Sequence, residues 1–105
     1  MTSILMLHAT TPRGREWLRD QLPEAARQGD ALIMRREGSE LDAVLFAEEL
    51  RSDAIRAGHR LSIGVAERIP GTSMTLTVAA AARALKRARD LNGDITLSHS
   101  TMLAA

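Results

Sequence analysis

The chain has 105 residues, 45% of them hydrophobic, which suits one globular domain over residues 1–105 with a single packed core. Its 14 lysines and arginines against 13 aspartates and glutamates leave a net charge of +1, so no overall field favours a nucleic-acid backbone or an anionic membrane. The lack of cysteine excludes a disulfide framework, a thiolate metal site and a cysteine nucleophile, and it fits a reducing cytosol.

Residues 1–10 carry no basic leader pattern, and no stretch approaches the ~18 apolar residues of a membrane span, so a soluble cytoplasmic protein is expected. Ser3–His8 (SILMLH) is the short continuous apolar run of a buried strand. A helix start follows, with Thr11 able to cap and Pro12 at the first helical position, where its missing N–H costs nothing. Trp17, Leu18 and Leu22 form an apolar stripe at helical spacing, which places the only tryptophan in the core. Pro23 predicts a kink or restart, and Gly29 the end of this helical region. Ala31–Met34 reads as a second buried strand, and Arg35–Glu40 as a polar turn.

Leu41–Phe46 is compatible with a hairpin strand or with the first turns of a helix, while Ala47–Ala57 reads as helix with Gly58 as its stop. Leu61–Ala66 (LSIGVA) is a strand whose glycine marks a place where a side chain would crowd a close neighbour. Thr75–Leu91 is an alanine- and leucine-rich helix with Arg83, Lys86, Arg87 and Arg89 toward its C-terminal end, where positive charge suits the macrodipole. Asn92 and Gly93 stop it, and Asp94–Ser98 is a last strand. Strands and helices alternate with short connections, so the class is α/β or α+β, a sheet of about four to five strands covered by helices.

Ser62-Ile63-Gly64-Val65-Ala66, followed at the right separation by Ala81-Ala82-Arg83-Ala84-Leu85-Lys86-Arg87-Ala88-Arg89, resembles the C-terminal signature of GGDEF domains, the fold of bacterial diguanylate cyclases. That family reads S-I-G-[VI]-A on a strand and A-D-x-A-L-Y-x-A-K on the next helix. The first motif matches fully; in the second, Ala82, Lys86 and Arg89 replace the aspartate, tyrosine and lysine. Upstream, Arg35 to Leu41 line up with R-Y-G-G-D-E-F, so that Glu37-Gly38-Ser39-Glu40-Leu41 reads as a degenerate signature loop with Ala43–Phe46 in place of the strand after it. The resemblance covers roughly residues 27–98 and implies a nucleotide-cyclase-like fold.

In active members an acidic residue of that loop and an aspartate ending the first strand hold divalent cations. Here Ser39 stands at the acidic position preceding Glu40, and the first strand ends in His8-Ala9-Thr10 without a carboxylate. A two-metal phosphoryl-transfer site needs hard oxygen ligands, so the chain is expected to lack cyclase activity, with no metal and no cofactor. His8, His59 and His99 are far apart in sequence and do not have metal-ligand spacing.

Arg27-Gln28-Gly29-Asp30 is an R-x-x-D, which in this family marks an inhibitory or receptor site for cyclic di-GMP about five residues before the loop. Here Ala31–Arg36 make six. Arginine can grip guanine edges or phosphate with its planar fork, and aspartate can accept from the guanine N–H edge. The resemblance therefore implies a signalling module that senses cyclic di-GMP through Arg27 and Asp30, joined by Arg35 or Arg36. The alternative, from a different class, is a module that binds a protein partner or homodimerises and contacts no nucleotide.

Overall fold

The computed structural model describes residues 1–100. Their elements are β1 (Thr2–Ala9), α1 (Pro12–Gln21), β2 (Ala26–Gln28), β3 (Ala31–Glu37), α2 (Glu40–Arg56), β4 (Leu61–Glu67), α3 (Met74–Leu91) and β5 (Thr96–Ser98). They build a five-stranded mixed sheet in the order β2-β3-β1-β4-β5. The central strand, β1, pairs antiparallel with β3 and with β4, while β5 lies parallel to β4 across the α3 crossover.

Strand alternation sorts the sheet into two faces. Leu5 and Leu7 of β1, Leu32 and Met34 of β3, and Leu61, Ile63 and Val65 of β4 pack against Leu18 of α1 and against Ala43, Ala47, Leu50 and Ala54 of α2. The opposite face presents Ile4, Met6, Ala31 and Ala66 to Ala80, Ala81 and Leu85 of α3. On that side β4 offers only Ser62, Gly64 and Ala66, so α3 lies very close to the strand. A Cβ on Gly64 would sit 2.3 Å from the Leu85 nitrogen and 2.4 Å from the Ala81 carbonyl oxygen, which is the crowding expected of this glycine.

The helix starts are chemical. Thr11 accepts from the Gly14 N–H at 3.0 Å with Pro12 in the first turn, and Ser73 accepts from the Leu76 N–H at 3.4 Å. Trp17 is partly buried against the core, with its ring centroid 5.6 Å from that of His59. Gly93, at φ 74°, ends α3 by donating to the Ala88 carbonyl. Arg51 bonds Glu48 at 2.7 Å and reaches both the carboxylate and the carbonyl of Asp94, tying α2 to the approach to β5.

One expectation is corrected, and one choice left open by the sequence is decided. The helical region after Thr11 does not reach Gly29: α1 ends at Gln21, and Ala26–Gln28 is an edge strand paired with β3 around a turn at Gly29, φ 63°. Pro23 cannot continue the helix, and a glycine in the left-handed region suits a tight hairpin. Residues Leu41–Phe46 are helix, so no strand follows the proposed signature loop. The reason is a capping box: Ser39 Oγ accepts from the Asp42 N–H at 3.2 Å, while Asp42 Oδ2 accepts from the Ser39 N–H at 3.1 Å. No described helix is long and apolar enough to cross a membrane.

Candidate functional site

Residues Glu37–Leu41 are engaged in folding. The Gly38 N–H donates to the Met1 carbonyl at 2.8 Å, the Gly38 carbonyl accepts from Ser3 Oγ at 3.1 Å, and the Glu40 N–H donates to Glu67 Oε1 at 2.7 Å. The Glu37 carboxylate accepts from Thr2 and Arg35, and that of Glu40 from Ser100. With the capping box, the amides of Gly38, Ser39 and Glu40 all have internal partners. This junction is built as a helix start.

The structure separates Arg35 and Arg36 from the R-x-x-D. Five residues of strand between Asp30 and Arg35 span about 17 Å. Arg36 lies over the Phe46 ring of α2, its guanidinium carbon 4.2 Å from the centroid, and Arg35 pairs with Glu37 at 3.4 Å. Neither joins Arg27.

Two arginines of α1 take their place beside it. An open cavity of about 460 Å³ lies between α1, the end of β1 and the β2–β3 hairpin, with Leu7, Leu18 and Leu32 among its apolar lining and Asp30 at its rim. Arg15, Arg19 and Arg27 all line it. Arg27 pairs in register with Leu32, whose side chain lies on the α1 face, and Arg15 and Arg19 are one helical turn apart on α1. Arg15 donates to the Ala9 carbonyl at 3.2 Å; the side chains of Arg19 and Arg27 make no hydrogen bond or ion pair among the described residues. Three arginines and one carboxylate lining a single open cavity suit a phosphorylated ligand.

The Asp30 carboxylate is shared with the other side of the sheet. Its Oδ2 lies 3.2 Å from His8 Nε2 and 3.4 Å from an Arg89 guanidinium nitrogen. His8 is 8% exposed. Burial, followed by the Arg89 charge, holds its pKa below the usual imidazole value despite Asp30. Its neutral ring therefore donates from Nε2 to Asp30, leaving Nδ1 buried without a partner; Ser62, directly opposite in the β1–β4 register, also has a buried hydroxyl with no partner. Desolvation works to raise Asp30, but the His8 ring and the Arg89 guanidinium outweigh it, so its pKa is lowered. Among the described residues no group of three histidine, cysteine, aspartate or glutamate side chains could hold a metal ion.

Arg15, Arg19 and Arg89 were not singled out from the sequence as site residues. For the first two a signal existed, the i, i+4 spacing directly after a helix cap; the Arg89–Asp30 pairing, 59 positions apart, had none.

A microbial GGDEF domain, solved for its interaction with bis-(3′,5′)-cyclic di-GMP, superposes with a TM-score of 0.72 at 16% identity, over 92% of this chain and 76% of that one. The fold is GGDEF-like. The GGDEF domain of DgcB from Caulobacter crescentus, in complex with cyclic di-GMP, gives a TM-score of 0.68 at 18% identity, over 94% of this chain and 78% of that one. No family profile and no curated protein sequence matches the chain.

Proposed function

We propose that this GGDEF-like module is a non-catalytic receptor that binds cyclic di-GMP in the cleft between α1 and the β2–β3 hairpin. The observation that carries the reading is the convergence of Arg15, Arg19 and Arg27 on one open cavity, with the last two free of internal partners. A dinucleotide with two phosphates and two guanines matches that lining, because guanidinium forks bind phosphate oxygens and guanine edges. The two structural neighbours, both studied with cyclic di-GMP, support the ligand class.

The non-catalytic part of the reading rests on the carboxylates. Phosphoryl transfer between two metal-bound oxygens needs several hard ligands in one place. Asp30 is already paired with His8 and Arg89, and Glu40 lies at the start of α2 bonded to Ser100. Incubation with GTP and magnesium or manganese is expected to give no cyclic di-GMP, and product from clean protein would overturn this part. Titration calorimetry with cyclic di-GMP tests the receptor part. Binding should weaken in high salt, since phosphate attraction contributes to it.

A further inference from the structure

The hairpin that carries Arg27 has little of its own to hold it. β2 is three residues long, fully exposed, and pairs only with β3 at the edge of the sheet. A short two-stranded ribbon is marginal in water by itself. Its turn is Gly29 at φ 63°, with nothing within 4 Å of where a Cβ would sit, followed by Asp30. Among the described residues, the side chains that reach this turn from the rest of the molecule are Arg89, near the end of α3, and His8, on the α3 face of β1.

We propose that His8, Asp30 and Arg89 form a clasp that fixes the β2–β3 hairpin against β1 and α3, making Asp30 and Arg89 positioning residues for the arginine cleft on the opposite face of the sheet. The expected effect on ligand affinity rests on the receptor reading above; the clasp itself stands on the geometry alone.

Three features support the assignment. The contacts come from two different elements onto one carboxylate oxygen, so the turn is triangulated and not merely touched. His8 is held rigidly, buried in β1 between the paired strands β3 and β4, and gives the clasp a fixed anchor. Arg89 is half-exposed on a helix that cannot shift easily, because Gly64 lets α3 lie directly against β4. The charged groups facing His8 are Asp30 from the hairpin, Arg89 from α3 and Arg15 from α1, so the ring also senses both sides of the sheet. Arg27 and the clasp thus act through one rigid turn. Asp30 orients it from the α3 side, while Arg27 points to the α1 side with Leu32.

The test uses the full chain with Arg89→Ala, Arg89→Lys and Asp30→Asn, and reads three things. Amide hydrogen exchange without ligand should speed up at Arg27–Asp30 by roughly tenfold in Arg89→Ala and Asp30→Asn, the loss of one charge-assisted bond, with Leu50 in α2 unchanged as an internal control. The His8 imidazole, followed by nitrogen NMR, should titrate at higher pH in Arg89→Ala and at lower pH in Asp30→Asn, opposite movements that general loosening would not produce. Cyclic di-GMP affinity should fall roughly tenfold in Arg89→Ala and be partly restored in Arg89→Lys. Unchanged hairpin exchange and an unmoved His8 titration in Arg89→Ala would overturn the clasp. If the exchange and titration change as expected while the wild type binds no cyclic di-GMP, the clasp stands and the receptor reading fails.

Discussion

Two glycine turns in this chain carry the same kind of sequence and do opposite work. Gly29–Asp30 and Gly38–Ser39 each place a glycine before a polar residue at the end of an arginine-containing stretch. Gly38–Ser39 opens a helix, and the backbone amides of Gly38, Ser39 and Glu40 are bonded to Met1, Asp42 and Glu67. Gly29–Asp30 closes a hairpin and leaves Arg27 without an internal partner at the edge of a cavity. What separates a structural turn from a candidate binding turn is therefore the use of its donors. The letters of the motif do not decide it.

The harshest way to disturb both turns together is through the sheet they share. Gly64→Ala would drive a methyl into the Leu85 and Ala81 backbone, which cannot yield as a side chain tip would, so a loss of about 3 kcal/mol or more is expected in urea unfolding. A variant within a few tenths of a kcal/mol of wild type would mean that α3 does not sit this close to β4.

The comparison sharpens when each turn is altered alone. Arg27→Ala should weaken cyclic di-GMP binding by roughly tenfold to a hundredfold, the cost of about 1.5–3 kcal/mol for one charged hydrogen-bond partner, while the unfolding midpoint stays at the wild-type value. Ser39→Ala should do the reverse. Losing the cap should cost about 1 kcal/mol of stability, read from chemical denaturation, and leave ligand affinity unchanged. If both variants lowered stability and affinity together, the two turns would not be functionally distinct.

Much of this contrast was legible in the sequence, and the part that was not has physical causes. The strands Ser3–His8, Ala31–Met34 and Leu61–Ala66 stand out because a buried strand reads as an apolar run. The three-residue β2 did not, since Ala26-Arg27-Gln28 is fully exposed and has no apolar pattern to display. The start of α2 is readable from Ser39-x-x-Asp42, a capping-box pattern, whereas the apolar periodicity of so short a run as Leu41–Phe46 leaves strand and helix both open. Arg27 and Asp30 were found by motif. Arg35 and Arg36 are near them in sequence, but strand geometry carries them away from the cleft, whereas Arg15 and Arg19 arrive there only through tertiary packing.

The smallest effect concerns pH. In the unfolded chain His8 protonates near its ordinary pKa of 6.5; in the fold it protonates only at lower pH, so between those values the unfolded state holds more protons. Stability supplied by the neutral ring is present above 6.5 and is lost as pH falls through that value toward the folded one. Asp30 acts in the same direction further down: its lowered pKa gives stability above 3.8 that disappears as pH falls through the folded value. The melting temperature should therefore drop on acidification from pH 7 to pH 5, and His8→Gln should flatten that slope. An unchanged slope would remove His8 from the account of the hairpin side.

The central claim is that the ligand is gripped at the hairpin cleft and not at residues 37–41. Titration calorimetry with cyclic di-GMP on the wild type, Arg27→Ala and Glu37→Ala tests it most directly. The account predicts a binding heat for wild type, the same affinity for Glu37→Ala, and roughly tenfold or greater loss for Arg27→Ala. No heat from the wild type at ligand concentrations near a millimolar, or affinity lost in Glu37→Ala and kept in Arg27→Ala, would contradict it.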